Sequence, residues 1–278
     1  MSNTDFSKIY SYSKIDLFGQ CRKKYYFNYL DPEIAPIKKQ FLKPRDFNTK
    51  GSAVHGAITL FYYLPKSKRN FEGLKSCLKQ SWFADLDVYR QPPLGLLGGF
   101  RDLDHERSVY LDSLKQLQNF LRMEEQEKPN LFYNPMENIR KSFDDYSRMI
   151  KPLGKKVFIS GKFDRIDKLK NGNLRVVDFK TGKSKNGIDQ LEFYKLLAEI
   201  NFDKKVDQVS YYYLNDGKIK DFDVSEVKTK NIQKKVLEKI GEIEDTKEFP
   251  PNPTRLCDYC DFKEICPVFH REGVDRVS

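Results

Sequence analysis

Apolar and polar positions along this chain change rhythm near its midpoint. Residues 11–30 (SYSKIDLFGQCRKKYYFNYL) repeat apolar side chains three and four apart, which predicts one or two short helices, with Ser13 followed by Asp16 as the expected cap. Residues 31–50, rich in Pro, Lys and Arg, read as a loop. Gly51 to Tyr63 (GSAVHGAITLFYY) then reads as an apolar helix containing His55. From about 70 to 128 the pattern is helical and charged, broken by PPLGLLGGF at 92–100. The glycines there lack the Lys-Ser/Thr of a phosphate-binding loop, so the stretch is an ordinary loop within a helical insertion over 65–134.

After Pro135 the rhythm shortens to two. Residues 137–150 and Lys156–Lys168 (KVFISGKFDRIDK) each read as a strand, Asn171-Gly172 as a hairpin turn, and Leu174–Lys180 (LRVVDFK) as a third strand. A helix over Gln190–Ile200 and a strand over Gln208–Leu214 follow. Asp216-Gly217 then turns into Lys218–Val224, and Ser225–Glu244 is a long charged helix. Pro250–Pro253 breaks the chain before a cysteine-rich segment at 250–270. The order predicts a mixed α/β fold, helices packed on a central sheet.

Composition narrows the picture. The 278 residues are 39% hydrophobic and 14% aromatic, enough for a sizeable core. The expectation is a single domain over 1–278. No apolar run approaches the roughly 18–20 residues that span a bilayer. The polar N-terminal MSNTDFSK is unlike a secretory leader, so a cytoplasmic location is expected. Fifty Lys+Arg against 40 Asp+Glu give a net charge of +10, which points to polyanionic partners without specifying chemistry.

The chemistry begins at Asp178-Phe179-Lys180. Alternation puts Asp178 and Lys180 on one strand face and Val177 and Phe179 on the other. The spacing alone is weak, because it recurs at Asp203/Lys205, Asp216/Lys218, Asp245/Lys247 and Asp261/Lys263. Context strengthens it: the preceding strand carries Gly161-Lys162-Phe163-Asp164, and the hairpin can bring Asp164 beside Asp178. Two adjacent carboxylates repel, and a shared proton or a divalent cation relieves them. With a neighbouring lysine such a pair suits phosphodiester hydrolysis. Alternation places Asp167 on the opposite face, and Arg165 reads as a structural ion-pair partner.

These residues resemble the PD-(D/E)xK nuclease superfamily, in its RecB-like exonuclease branch. The matching elements are Gly161-x-x-Asp164, Asp178-x-Lys180, Gln190-x-x-x-Tyr194 and His55 four residues after Gly51. The resemblance implies a restriction-endonuclease-like core and a metal-dependent DNA nuclease. It makes His55, Asp164, Asp178 and the Phe179 carbonyl ligands of Mg²⁺ or Mn²⁺, and Lys180 the catalytic lysine. Gln190 and Tyr194, one helical turn apart, would lie beside them. A CRISPR-associated adaptation nuclease, or a non-catalytic DNA-binding subunit, is the competing reading. No helicase segment is present, so unwinding would fall to a helicase or an adaptation or repair partner protein.

Five cysteines cannot all pair in one chain. Cys257-x2-Cys260-x5-Cys266 supplies three thiolates, one short of a tetra-thiolate site, with Cys21 and Cys77 as candidates for the fourth. Cys77, within a helical pattern, reads as a small packed hydrophobe. The resemblance favours Cys21: in AddB-type relatives one cysteine before the core and three after it hold a 4Fe–4S cluster, here a staple joining the two ends of the domain. Spacing alone leaves Zn²⁺ as the alternative. Around Cys21, the run Arg22-Lys23-Lys24-Tyr25 mixes cations with rings, and Lys183 follows the catalytic lysine; these are the expected contacts to single-stranded DNA or duplex ends.

Overall fold

The computed structural model describes residues 8–84, 93–133, 150–154, 157–182 and 187–269. Along the chain its main elements are β1 (Ile9–Ser11), α1 (Tyr12–Gln20), α2 (Arg22–Tyr29), α3 (Ile34–Ile37), α4 (Asp46–Phe61), α5 (Phe71–Trp82) and α6 (Leu103–Glu127). Then come β2 (Leu131–Tyr133), β3 (Ile150–Pro152), β4 (Phe158–Ser160), β5 (Arg165–Lys168), β6 (Leu174–Lys180), α7 (Asp189–Phe202), β7 (Val206–Tyr213), β8 (Lys218–Asp223) and α8 (Thr229–Asp245). Short 3-10 turns connect several of them. No helix among the described residues is long and apolar enough to cross a membrane.

The chain divides into two compact units, each built from separated stretches. One comprises residues 1–43, 152–160 and 233–278. Its strands belong to a three-stranded sheet in the order β1-β4-β3, β1 and β4 running parallel. Side-chain capping starts both of its first helices: Ser11 Oγ accepts the Lys14 N–H at 3.2 Å, and Cys21 Sγ accepts that of Lys24 at 3.4 Å. Ser11, not Ser13, therefore caps α1, because the strand ends one turn earlier than the apolar pattern implies.

The second unit comprises residues 44–151 and 161–232. Its five-stranded mixed sheet runs β2-β5-β6-β7-β8, with β6 and β7 parallel and the other neighbours antiparallel. Gly172, at φ +90°, makes the expected Asn-Gly turn between β5 and β6. Helices α4, α5 and α6 build an apolar layer on Val177, Phe179, Tyr212 and Leu214, while α7 packs on β6 and β7. With helices flanking mixed sheet, the fold is the expected restriction-endonuclease-like α/β type.

Three expectations need correction. Lys156–Lys168 is not one strand: β4 and β5 lie in different sheets, separated by an irregular stretch at Gly161–Asp164. Strand propensity is similar on both sides of that break, so composition did not show it. Helix α4 begins at Asp46, five residues before Gly51, and part of the expected 31–50 loop is α3 and a 3-10 turn at Lys38–Phe41. The strand expected over 137–150 lies outside the described residues except for Ile150.

Candidate active site

Asp178 and Lys180 extend from the C-terminal end of β6 on the same face, Lys180 Nζ 2.7 Å from Asp178 Oδ2. Their neighbours Val177 and Phe179 face the helical layer, as alternation requires. On α7 the Gln190 amide bridges the pair: its Oε1 accepts from Lys180 Nζ at 2.8 Å and its Nε2 donates to Asp178 Oδ1 at 3.2 Å. Tyr194, one turn on, has its hydroxyl 3.3 Å from the same Nε2.

Asp164 reaches the site from the break between β4 and β5. Its Oδ2 accepts the Phe179 backbone N–H at 2.9 Å, and its Oδ1 lies 3.0 Å from His55 Nδ1. One of two nearby glycines sits at a tight approach. A Cβ on Gly161 would come 2.8 Å from Leu197 Cδ2 and 3.2 Å from Tyr194 Cε1, so any larger residue there must displace these side chains of α7. Gly51, a turn before His55 on α4, passes Thr181 with room for no more than ordinary contact, 3.5 Å from an added Cβ.

The electrostatics follow from burial and like charge. The Asp178 side chain is 7% exposed. Burial, then the nearby Asp164 charge, pushes its carboxyl up to about 6, against the pull of Lys180. Burial opposes ionisation of Asp164 too, but His55, the Phe179 N–H and Lys180 together hold it below the usual carboxylate range. His55 is correspondingly raised: burial works against its cation, and Asp164 outweighs it. One carboxylate is thus stabilised as an anion and its neighbour resists ionisation, which is the charge problem a divalent cation solves. Carboxylate oxygens and a backbone carbonyl are hard donors that fit Mg²⁺ or Mn²⁺, and the one imidazole is a borderline donor better suited to Mn²⁺ than to Mg²⁺. Among the described residues, no three His, Cys, Asp or Glu side chains are already drawn together as a metal-holding group.

Cys21, Cys257, Cys260 and Cys266 line one cavity of about 30 Å³ with Phe27, Phe262 and other residues of the first unit. The segments bearing them are fastened independently of any sulfur: Lys23 N donates to Pro250 O at 3.2 Å and Asn252 Nδ2 to Gln20 O at 3.0 Å. The Phe262 ring sits 5.5 Å from Phe27 and 5.6 Å from Phe41. Cys257 Sγ accepts the Thr254 N–H at 3.4 Å, and burial raises the Cys260 thiol. Cys77 lies in the apolar core of the second unit and is not among the residues lining that cavity, and burial raises its thiol as well.

The expected DNA contacts fare unevenly. Arg22 pairs with Glu242 at 2.7 Å, and Lys23 lies over the Tyr26 and Phe27 rings; both, like Lys24, are half-buried. Tyr25 is corrected: it is 1% exposed, with its ring edge-on to Phe18 at 5.3 Å, so it cannot stack on a base. Helical periodicity turns it inward while its basic neighbours face out. Lys183 lies outside the described residues. Sequence reasoning missed the contribution of α6, where Gln116 Nε2 donates to Thr181 O at 3.3 Å and Asp112 pairs with Lys50 at 3.1 Å. Nothing in that helix's charged pattern marks those positions.

The profile of the PD-(D/E)XK nuclease superfamily matches residues 9–267. No curated protein matches the chain. Among solved structures, the crystal structure of SSO0001 is 14% identical over 97% of this chain and 91% of that one, with a TM-score of 0.37, too low a likeness to carry an argument.

Proposed function

Because the chain belongs to the PD-(D/E)XK nuclease superfamily, we propose that it is a divalent-metal-dependent deoxyribonuclease of the RecB-like branch, acting as an exonuclease on single strands or duplex ends. The observation that carries this reading is the meeting of His55, Asp164, Asp178, Lys180 and Gln190, from separate segments, in one hydrogen-bonded cluster. Asp164, Asp178, His55 and the Phe179 carbonyl would hold the ion. A bound Mg²⁺ or Mn²⁺ supplies Lewis acidity and a more acidic water at neutral pH. Lys180 contributes a fixed positive charge beside Asp178, where it can orient the attacking oxygen and offset charge growing on the phosphoryl group. Gln190 holds Lys180 and Asp178 at once, so that neither side chain must be ordered when substrate arrives. Tyr194 supports the Gln190 amide.

The four cysteines belong to the same reading, as a structural 4Fe–4S site with Zn²⁺ as the alternative. Supporting it are one cavity bordered by four thiols and the soft-donor chemistry of sulfur. The nuclease reading is tested with end-labelled single- and double-stranded DNA, in Mg²⁺, in Mn²⁺ and in chelator. Cleavage is expected only with metal, releasing short products from ends, and falling by at least about a thousandfold in Lys180→Ala and Asp178→Ala. No cleavage under any condition would falsify it; cleavage of closed circles would replace the exonuclease mode with an endonuclease one.

A further inference from the structure

Beneath the apolar layer of the second unit lies a set of buried charges that the chemistry above does not use. Arg165, 0% exposed, is the first residue of β5 and follows Asp164 directly. Its guanidinium donates to Glu124 of α6, to the Tyr62 hydroxyl at 2.9 Å and to Asp167 at 3.0 Å. Tyr62 in turn donates to Glu124 at 2.7 Å. Asp167 is shared with Arg175, which also reaches Glu127 at 2.8 Å and the Tyr212 hydroxyl at 2.8 Å. Every strand residue here faces away from Asp178, toward α4 and α6.

Stability does not explain the arrangement. Burying ions carries a large desolvation cost, and a packed apolar pair of similar volume is commonly as stable. The surrounding layer is already apolar. What singles out Arg165 is its set of neighbours. The chain immediately before it is the irregular stretch that presents Asp164, which has no ladder hydrogen bonds to hold it in place. The Arg165 guanidinium also lies 5.5 Å from the centre of the Phe179 ring, and the Phe179 N–H is the donor that fixes Asp164 Oδ2. Tyr62, its third partner, is the C-terminal cap of α4, the helix that carries His55. One rigid, planar, five-donor group therefore meets the three segments from which His55, Asp164 and Asp178 extend.

We propose that Arg165 is a positioning residue for the metal site: its buried fork holds the Asp164 turn, the Phe179 segment of β6 and the end of α4 in the relative arrangement that cation binding requires. The proposal rests on the reading of Asp164 and Asp178 as metal ligands.

Arg165→Met/Glu124→Gln tests it, because that pair removes one positive and one negative charge together. It leaves Asp167 Oδ2 paired with Arg175, while Asp167 Oδ1 gives up its 2.9 Å ion pair with Arg165 Nε, and it leaves Tyr62 an amide oxygen to donate to. Mn²⁺ affinity measured by calorimetry, thermal midpoint without metal, and the Mg²⁺ dependence of cleavage are read side by side. The expected result is a metal-free midpoint within a few degrees of wild type, with Mn²⁺ affinity reduced at least tenfold. Arg165→Lys, which keeps the charge but loses the fork, is expected to fall between the two. Wild-type Mn²⁺ affinity in a folded double variant overturns the proposal, as does loss of fold in both variants, which would make Arg165 a residue of stability alone. Asp178→Asn is the control for the underlying reading: if wild type binds no Mn²⁺, or Asp178→Asn binds it equally well, the metal site fails and not the role of Arg165.

Discussion

The carboxylate cluster and the cysteine cavity solve opposite problems. Around Asp164 and Asp178, donors and acceptors are already matched: His55, the Phe179 N–H, Lys180 and Gln190 each have a defined partner at 2.7–3.2 Å. Around Cys21 and Cys257 the sulfurs are served by single backbone N–H groups at 3.4 Å, and the segments are held by main-chain hydrogen bonds and phenylalanine rings. The first region is ordered by polar contacts among the reactive groups themselves. The second is ordered by packing that brings the reactive groups together without joining them. A cation entering the first relieves an existing charge conflict, whereas a metal entering the second would add the bonds that are missing. The two regions should therefore respond differently to substitution, to metal and to pH.

The largest difference is expected at the cysteines. If the cysteines hold a metal, Cys21→Ala and Cys257→Ala should lose it and lower the thermal midpoint by roughly 3–9 degrees, matching the roughly 2–5 kcal/mol typical of a lost structural cross-link. Cys77→Ala should keep full metal content, shown by elemental analysis and visible absorbance. A colourless protein holding one zinc would exchange the cluster for its alternative while leaving the contrast intact.

Next is the pH dependence of the carboxylate site. The Asp178 carboxyl rises from 3.8 to about 6 on folding. A raised acid binds its proton more tightly in the folded state, so its favourable contribution is complete below about pH 3.8 and is lost as pH climbs through 6. A divalent cation restores what the proton gave. Mn²⁺ should thus raise the thermal midpoint clearly at pH 7.5 and less than half as much at pH 5, where protons compete. Equal shifts at both pH values would show that Asp178 is not a ligand.

Gly161→Ala comes third. Its Cβ would fall 2.8 Å from Leu197 Cδ2 and 3.2 Å from Tyr194 Cε1, on the helix that carries Gln190. About 1–3 kcal/mol of destabilisation is expected, with a drop in cleavage rate larger than in DNA affinity. The smallest effect belongs to Arg22→Ala. Its ion pair with Glu242 is largely open to solvent and worth about 0–1 kcal/mol. DNA affinity, measured against salt with catalytically inert protein, should lose about one phosphate contact from its slope if Arg22 faces substrate.

Legibility in the sequence followed the strength of local signals. The seven residues of β6, rich in apolar side chains and bounded by a turn, were readable together with the shared face of Asp178 and Lys180. So were the Asn171-Gly172 turn and the helical stacking of Gln190 on Tyr194, because each depends on neighbours within one turn or one ladder step. The three-residue strands β1 and β2 were not readable, since they are strands only through their partners in distant segments. Asp164 is readable as a partner of Asp178 through the Gly161-x-x-Asp164 run, but the break between β4 and β5 that presents it is not, because no residue type announces it except Gly161. Tyr25 misled because aromatic rings among cations look alike whether they face water or the core. Glu124 and Tyr62 gave no sign of their shared bond to Arg165, which joins residues 41 and 103 positions away along the chain.

The interleaved order of the two units has a consequence in time. Cys21 and Cys257 stand 257 − 21 = 236 residues apart, and the unit that contains them closes only when its last stretch, from residue 233 onward, has been made. At a synthesis rate of roughly 5–20 residues per second, Cys21 waits on the order of 10–50 s for its companions. The second unit, by contrast, has its whole sheet once residue 223 has left the ribosome. The four cysteines are thus complete only late in synthesis, and a nascent chain interrupted before residue 233 would carry the carboxylate cluster without the last stretch of the first unit.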